Sequence, residues 1–379
     1  LFRSRNRCVM CTRCVRFYEE VVGEPYLFVE HRGYHSDISV FPGKGLTHPM
    51  TGNIVEICPV GCLIDKDFLF NARVWNLQRS KSICTGCSSG CNIFIEHKDN
   101  KIFRIRSRAN QAVNPEWICD HGRYSYHRYE QLDRPAAPQK RTAQGWQPQS
   151  WSDAIAEAAG RLQQAGPVAV VGSAFATLEE NHLLRKIGAV LKAGHMSTYA
   201  PAPQGEDIVY KSGFTIRADK SPNRRGAALL FDPASDLFQA IEKGLCKTLL
   251  IFGGDVELTW NEQQKAMLKK LDLIVVLDVQ QTAWNGVAHL FWPVACFGEN
   301  EGTFINATGH VQHVQAAFRP AADVKTGVDI LGQLLYQLAP AEGRRSATEV
   351  LNDLAKTHKE LAHISSFKLG DHGLPLEPR

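Results

Sequence analysis

Cysteine carries the chemistry of this sequence. Eight of its eleven cysteines fall into two sets in the first third of the chain. Cys8, Cys11, Cys14 and Cys58 read C-x2-C-x2-C with a remote fourth cysteine that is followed at once by Pro59. Short C-x2-C steps let backbone amides turn toward bound sulfur, and thiolates crowded this way suit one face of an iron-sulfur cube, which the remote cysteine closes. Cys84, Cys87, Cys91 and Cys119 read C-x2-C-x3-C with the fourth member again downstream. Two complete sets predict two four-iron clusters. Zinc is the alternative for four thiolates, but its usual spacing is two separated C-x2-C knuckles. Disulfides belong to short secreted chains, and the start of this 379-residue sequence shows no signal peptide, so a reducing compartment is expected.

The remaining candidates weigh less. Cys62 stands four residues after Cys58 and is an alternative ligand or, more simply, a small buried thiol. Cys246 and Cys296 adjoin apolar stretches and read as core thiols. His31, His35, His48 and His121 read as exposed or satisfied histidines, and Trp146, Trp151 and Trp284 as packing residues. Arg3, Arg5, Arg7, Arg13 and Arg16 precede the first acid, Glu19. They form a solvated basic face or border an anionic cluster and raise its potential.

The elements that must position these groups differ along the chain. Residues 1–75 are loop-rich around the first set, with connections such as FPGKGL at 41–46. Residues 76–132 carry the second set. Within them 92–97 and 101–105 alternate about the Lys98-Asp99-Asn100 turn and predict a hairpin that returns the chain toward Cys119. Arg104, Arg106 and Arg108 then read as a solvent-facing strand edge. Residues 133–150 are rich in Pro, Gln and Ala and read as a linker.

Beyond the linker, 151–162 has helical periodicity with Ser150 or Ser152 as cap. Short apolar runs at 167–171, 248–254 and 273–278 alternate with amphipathic stretches at 178–191 and 261–271. This pattern predicts a doubly wound, mostly parallel α/β domain over 151–340, with 341–379 as a tail. Gly172 and the Gly253-Gly254 pair complete neither a G-x-G-x-x-G nor a P-loop pattern, so they are read as turn glycines. Charge is nearly balanced, 43 Lys plus Arg against 39 Asp plus Glu, which makes no case for nucleic acid. No apolar run approaches the roughly 20 residues that span a bilayer.

The segments RCVMCTRCVRF (7–17) and GNIVEICPVG (52–61) resemble the large iron-sulfur subunit of respiratory NADH:quinone oxidoreductase, the G subunit of bacterial complex I. The second set with CDHGR (119–123) is similar to a segment shared by some G subunits and by molybdopterin oxidoreductases such as formate dehydrogenases. Later stretches, GW at 145–146, WSDA at 151–154, ENEGTFIN at 299–306 and GHVQ at 309–312, extend the likeness. The resemblance implies a ferredoxin-like iron-sulfur region followed by an α/β domain of molybdopterin-oxidoreductase type. It implies one tetranuclear cluster on Cys8, Cys11, Cys14 and Cys58 and a second, lying to one side of the main electron path, on Cys84, Cys87, Cys91 and Cys119.

The activity implied is that of a proton-translocating NADH dehydrogenase (quinone) to which this chain contributes electron transfer, with no catalytic residue of its own. The implied partners are the flavin-bearing, NADH-binding subunit and a downstream four-iron subunit, with membrane contact only through the complex at the cytoplasmic face of the inner membrane. The family's upstream 2Fe-2S domain and His/Cys3 four-iron site are absent from this sequence, and its start at Leu1 reads as a truncation. His121 stands where pterin enzymes typically have Lys, and the part after Cys119 is short for a pterin-binding catalytic domain. No molybdopterin is expected. The competing reading is a molybdopterin-dependent oxidoreductase, separable by molybdenum and pterin analysis. A zinc-stapled scaffold is the structural alternative, separable by its lack of colour.

Overall fold

Strands Val168–Ser173, Thr248–Phe252 and Leu273–Asp278 are buried at every position. A continuous apolar run of this kind needs cover on both faces of its sheet, and alternate residues show that it has it. Val170, Leu250, Phe252, Val275 and Leu277 enter one core, while Ala169, Val171, Leu249, Ile251, Ile274 and Val276 enter another. Helices Trp151–Gln164, Leu178–Val190, Gly327–Leu338 and Ala347–Thr357 contribute to the first core, and Leu237–Glu242 and Glu262–Leu268 to the second. The sheet runs in the order His195–Tyr199, Val168–Ser173, Thr248–Phe252, Leu273–Asp278, Leu290–Pro293, with all four pairings parallel. The doubly wound α/β expectation is met. Ser150 caps the first helix through Asp153 N–H, and Thr177 with Glu180 closes a capping box on the second.

These observations come from a computed structural model that describes residues 1–31, 33–43, 45–233, 235–254, 258–320 and 323–377. Lys44 of the 41–46 connection lies outside the described residues. The chain divides into two units, one of Leu1–Tyr126 with Pro203–Lys220, the other of His127–Ala202 with the chain from Ser221 onward. Three expectations meet a different outcome. Within the linker expected at 133–150, Gln139–Thr142 and Gly145–Pro148 form a hairpin that extends the sheet antiparallel to Leu290–Pro293. Two exposed, polar strands at a sheet edge lack the apolar run that marks a central strand. The stretch expected as a tail folds back, with Ala347–Thr357 in the core and Leu374–Pro375 paired to His310–Val314. Pro203–Lys220 leaves the α/β unit and joins the first one.

The first unit is built from small antiparallel pieces: Phe2–Arg3 with Leu63–Ile64, Leu27–Glu30 with Asp37–Val40, and a three-stranded sheet of Gln78–Ile83, Asn92–Lys98 and Lys101–Ser107. The expected hairpin is present, but its arginines do not form a solvent-facing edge. Arg104 pairs with Glu96, which is 2 % exposed and is held from its other side by Arg79 at 2.6 Å. Arg106 lies 3.7 Å from Glu56, and Arg108 is buried with its guanidinium on the Ser82 carbonyl at 3.2 Å. A carboxylate buried in a sheet requires cations beside it. Burial works to raise Glu96, and hydrogen bonds and charge from Arg104 and Arg79 bring its pKa below the usual value. Among the described residues no helix is long and apolar enough to cross a membrane.

In the α/β unit, Glu179 is buried in helix Leu178–Val190 and accepts hydrogen bonds from Thr303 N–H (2.8 Å) and Thr303 Oγ1 (2.7 Å). Burial, against those hydrogen bonds, pushes its pKa up to about 7. A carboxyl whose folded pKa exceeds its unfolded value holds its proton more tightly when folded, so its contribution is full below the unfolded value and is lost as pH rises toward 7. Glu179→Gln removes that loss. Urea unfolding from pH 4.5 to 7.5 should show the variant gaining on the parent chain by about 1–3 kcal/mol across the range. A constant difference would contradict the assignment.

Candidate metal centres

The first set is brought together by three short segments. Cys8 and Cys11 precede helix Arg13–Arg16, which carries Cys14, and Cys58 follows helix Asn53–Ile57. Met10 and Thr12, between the first three cysteines, both take left-handed backbone angles (φ 50° and 58°). Such angles turn the chain sharply at successive residues, which lets closely spaced side chains face one cavity. Cys8, Cys11, Cys14, Cys58 and Cys62 line a single pocket together with Arg3, Arg13 and Asp37. Of the N-terminal arginines, then, Arg3 and Arg13 border this pocket, while Arg3 and Arg5 each reach Asp37 at 3.0 Å.

The Cys-Pro-Val-Gly-Cys-Leu turn is shaped around one sulfur. Burial works to raise the Cys58 thiol, and backbone N–H groups of Leu63, Val60, Cys62 and Gly61 outweigh it, so its pKa falls below the ordinary thiol value. Gly61 supplies the left-handed step (φ 61°) that aims these amides inward. Amide donors of this kind stabilise a thiolate and therefore suit a metal-bound sulfur. Cys14 is pushed up to about 11, by burial first and then by the charges of Cys11 and Cys8.

The second set is fully buried: Cys84, Cys87, Cys91 and Cys119 are each 6–7 % exposed. Cys84 and Cys91 end the facing strands Gln78–Ile83 and Asn92–Lys98, and the Cys84 N–H donates to the Cys91 carbonyl at 2.7 Å. Cys119 precedes helix Asp120–Tyr124, and its sulfur accepts the Gly122 N–H at 3.4 Å, as Cys84 accepts that of Gly86 at 3.4 Å. Burial, then the neighbouring cysteines, raises Cys84 and Cys91 well above the usual range and Cys119 to about 11. Burial holds these cysteines as neutral thiols, and a cationic iron-sulfide core bound among them would reverse this by keeping them as thiolates, a role their shared burial fits.

One cation does act on these sulfurs. Lys220 favours the charged forms of Cys84 and Cys119, and it arrives on the returning segment, docked by Ser88 N–H to the Asp219 carbonyl (2.9 Å) and Ser89 Oγ to the Thr215 carbonyl (3.1 Å). The sequence holds no signal for Lys220, because a hundred residues separate it from Cys119. His31 and His35 are exposed. His48 is buried with its Nδ1 accepting the Met50 N–H at 3.2 Å, and burial lowers its pKa. Among the described residues, no group of three or more His, Cys, Asp or Glu side chains is arranged around a single ion.

The two sets are bolted to each other within this unit. Asn53 Nδ2 donates to the Ile118 carbonyl at 2.8 Å, and Asn53 Oδ1 accepts the Ile118 N–H (3.3 Å) and Arg123 Nη2 (3.1 Å). Asp120 Oδ1 accepts the Gly52 N–H at 2.8 Å, its own N–H reaches the Pro49 carbonyl at 2.7 Å, and buried Arg123 pairs with Glu56. Gly122 has no room to spare, since a Cβ there would lie 2.7 Å from Cys84 Sγ. Gly122→Ala should displace that sulfur and cut the iron held by the second set while leaving the first set loaded, read as iron per chain. Arg123→Met removes the nearest cation from Glu56 and one of the donors to Asn53 Oδ1, and should cost about 1–3 kcal/mol of stability in denaturant titration.

A pterin is the other group the fold suggests. Dinucleotide phosphates require free backbone donors at the carboxyl ends of the parallel strands. The described amides there are engaged: Ser173 N–H on Asn181 Oδ1 (3.0 Å), Gly253 N–H on the Leu277 carbonyl (2.8 Å), Gly254 N–H and Val279 N–H on Asp278 Oδ1 (2.9 and 2.7 Å). Trp284 Nε1 donates to Asp278 Oδ2 at 2.7 Å. These residues do not offer a phosphate cradle.

Comparison with known proteins agrees with both halves of this description. Residues 2–64 match the ferredoxin-like domain of NADH-quinone oxidoreductase subunit 3, residues 77–131 the molybdopterin oxidoreductase Fe4S4 domain, and residues 228–337 the molybdopterin oxidoreductase domain. The G subunit of the Streptomyces coelicolor NADH-quinone oxidoreductase is 35 % identical over 189 residues, 49 % of this chain and 22 % of that protein. Subunit 3 of the Thermus thermophilus enzyme is 35 % identical over 205 residues, 52 % of this chain and 26 % of that protein. The mitochondrial NADH dehydrogenase [ubiquinone] iron-sulfur protein 1 of Solanum tuberosum is 39 % identical over 170 residues, 45 % and 23 % of the two chains. The match thus spans about a quarter of these relatives' length. Acetylene hydratase from Pelobacter acetylenicus shares the fold, with a TM-score of 0.57 at 11 % identity over 79 % of this chain and 74 % of its own. Over its first half the chain is similar to the large iron-sulfur subunit of NADH-quinone oxidoreductase, and its later part shares the molybdopterin oxidoreductase fold.

Proposed function

We propose that this chain is an electron-transfer element of an NADH:quinone oxidoreductase, holding two four-iron clusters that relay single electrons from the flavin side toward quinone. Cys8, Cys11, Cys14 and Cys58 bind the first, and Cys84, Cys87, Cys91 and Cys119 bind the second. The observation that carries this reading is the gathering of each set into its own site, the first around one pocket with an amide-lined Cys58, the second in a shared apolar burial. Similarity to subunits so named supports NADH:quinone oxidoreduction as the reaction of the complex; the partners that fit this reading are a flavin-bearing NADH-binding subunit on one side and a further four-iron subunit on the other.

When bound, each cluster takes up and releases one electron at a time. The protein's part is to bind and to tune. The Val60 to Leu63 amides hold negative charge at Cys58, and Arg3 and Arg13 place positive charge at the first pocket. Lys220 does so at the second site. Burial of all four sulfurs excludes water from the second site. No general acid, base or nucleophile is required.

Anaerobic reconstitution with iron and sulfide should load about eight irons per chain. Electron paramagnetic resonance (EPR) of the reduced protein should then show two four-iron signals. Cys14→Ala should remove one signal and about half the iron, with circular dichroism unchanged in the α/β unit. A colourless protein that retains zinc instead would refute the proposal, and molybdenum with extractable pterin would establish the competing enzyme reading.

A further inference from the structure

The first pocket contains a fifth sulfur. Cys62 is 4 % exposed, the most buried of the five cysteines that line it, whereas Cys8, Cys14 and Cys58 are half-buried and Cys11 is exposed. Its backbone is fixed on both sides. The Cys62 N–H points at Cys58 Sγ, and its carbonyl accepts the Ser4 N–H at 2.8 Å, beside the pairing of Leu63 with Arg3. The same strand pairing anchors the segment that leads from Arg3 to Cys8. Cys62 and the segment leading into Cys8 are thereby tied to one wall of the pocket that both sulfurs line. The sulfurs that act on Cys14 are those of Cys11 and Cys8.

We propose that Cys62 is a reserve ligand of the first site, able to take the iron of Cys8 when the Cys8 sulfur is lost. The inference rests on the cluster assignment made above. Cysteine reaches its sulfur through one torsion, and a change between staggered wells carries that sulfur roughly 3 Å, so the transfer needs no movement of the backbone turn that serves Cys58. In the exchange one iron–sulfur bond to Cys62 forms where the bond to Cys8 is missing, and the Cys62 thiol proton passes to solvent. Four thiolates remain, the charge of the site is unchanged, and no electron is gained or lost. Because the pairing of Phe2–Arg3 with Leu63–Ile64 ties Cys62 to the segment that leads into Cys8, the tolerance is expected at Cys8.

The full chain, reconstituted anaerobically, supplies the test through iron and sulfide per chain and the EPR of the reduced protein. Cys62→Ala alone should keep the full iron content. Cys8→Ala should also keep it, with an altered first-site signal that reports the changed ligand geometry. Cys8→Ala combined with Cys62→Ala should lose about half the iron, as Cys14→Ala does. The proposal is overturned if Cys8→Ala alone loses the first-site iron, or if the double variant retains it. Should Cys8→Ala fail to fold, Cys8→Ser with and without Cys62→Ala asks the same question while keeping the side-chain volume. A parent chain that loads no iron at the first site would instead defeat the cluster assignment itself.

Discussion

The separation of the two cysteine sets depends on one buried polar junction. Asn53 stands five residues before Cys58, and Ile118 one residue before Cys119; the Asn53 side chain meets both the carbonyl and the amide of Ile118. Arg123, 4 % exposed, adds Glu56 and Asn53 as partners, and Asp120 takes the Gly52 N–H. A junction of charges and amides has directional contacts on every side, so it fixes register where an apolar contact would permit sliding. Its stakes are high, because a guanidinium left unpaired in this position would be strongly unfavourable. On the proposed assignment of a cluster to each set, rigidity here would matter more than net stability.

The two sites differ in how they treat negative charge, and that difference sets a direction for their potentials. Reduction adds an electron to a centre that is already anionic through its thiolates. The second site is buried on all sides, with amide donors to Cys84 and Cys119, so added charge is poorly solvated there. The first site is partly open, offers four amides to one sulfur and has Arg3 and Arg13 on its wall. Burial favours the oxidised state, whereas amides, cations and solvent favour the reduced one. On the proposed assignment, these effects favour reduction of the first site over the second. Lys220 narrows the gap from the side of the second site, and as an exposed residue its effect is open to screening by salt.

Much of this was legible in the sequence, for identifiable reasons. The ligand sets are read from spacing because neighbouring thiolates must reach one small object, and the α/β unit from apolar runs because a two-faced sheet buries every residue. The polar hairpin at Gln139–Pro148 escaped because edge strands carry no such run. The arginines of Lys101–Ser107 were misread because alternation identifies a face without identifying what lies against it; Glu96 and Glu56 were the missing partners. Lys220 and the return of Pro203–Lys220 to the first unit had no local signature, since they depend on contacts between distant stretches of chain. Cys62 was read as a buried thiol, and so it is. What spacing could not show is that it lines the same pocket as Cys8, 54 residues earlier, because the strand pair Phe2–Arg3 with Leu63–Ile64 ties the two segments together.

The same physics governs the described carboxyl ends of the strands in the α/β unit. In a doubly wound sheet the carboxyl ends of the strands expose amides that must find partners, and a bound nucleotide is one way to supply them. Here the chain supplies them internally. The Asp278 carboxylate gathers the amides of Gly254 and Val279 and the indole of Trp284, and Ser173 Oγ reaches the Gly253 carbonyl. A Cβ at Gly253 would collide with that carboxylate, so the closure is tight enough to demand glycine. Trp284 and Trp260 then pack edge to face at 5.4 Å over this end of the sheet, and Tyr199 adds to the layer at 5.9 Å from Trp260. Among the described residues, this end of the sheet is thus closed by the chain's own carboxylate, hydroxyl and indole groups, which hold the turns after the strands in place without calling on a ligand.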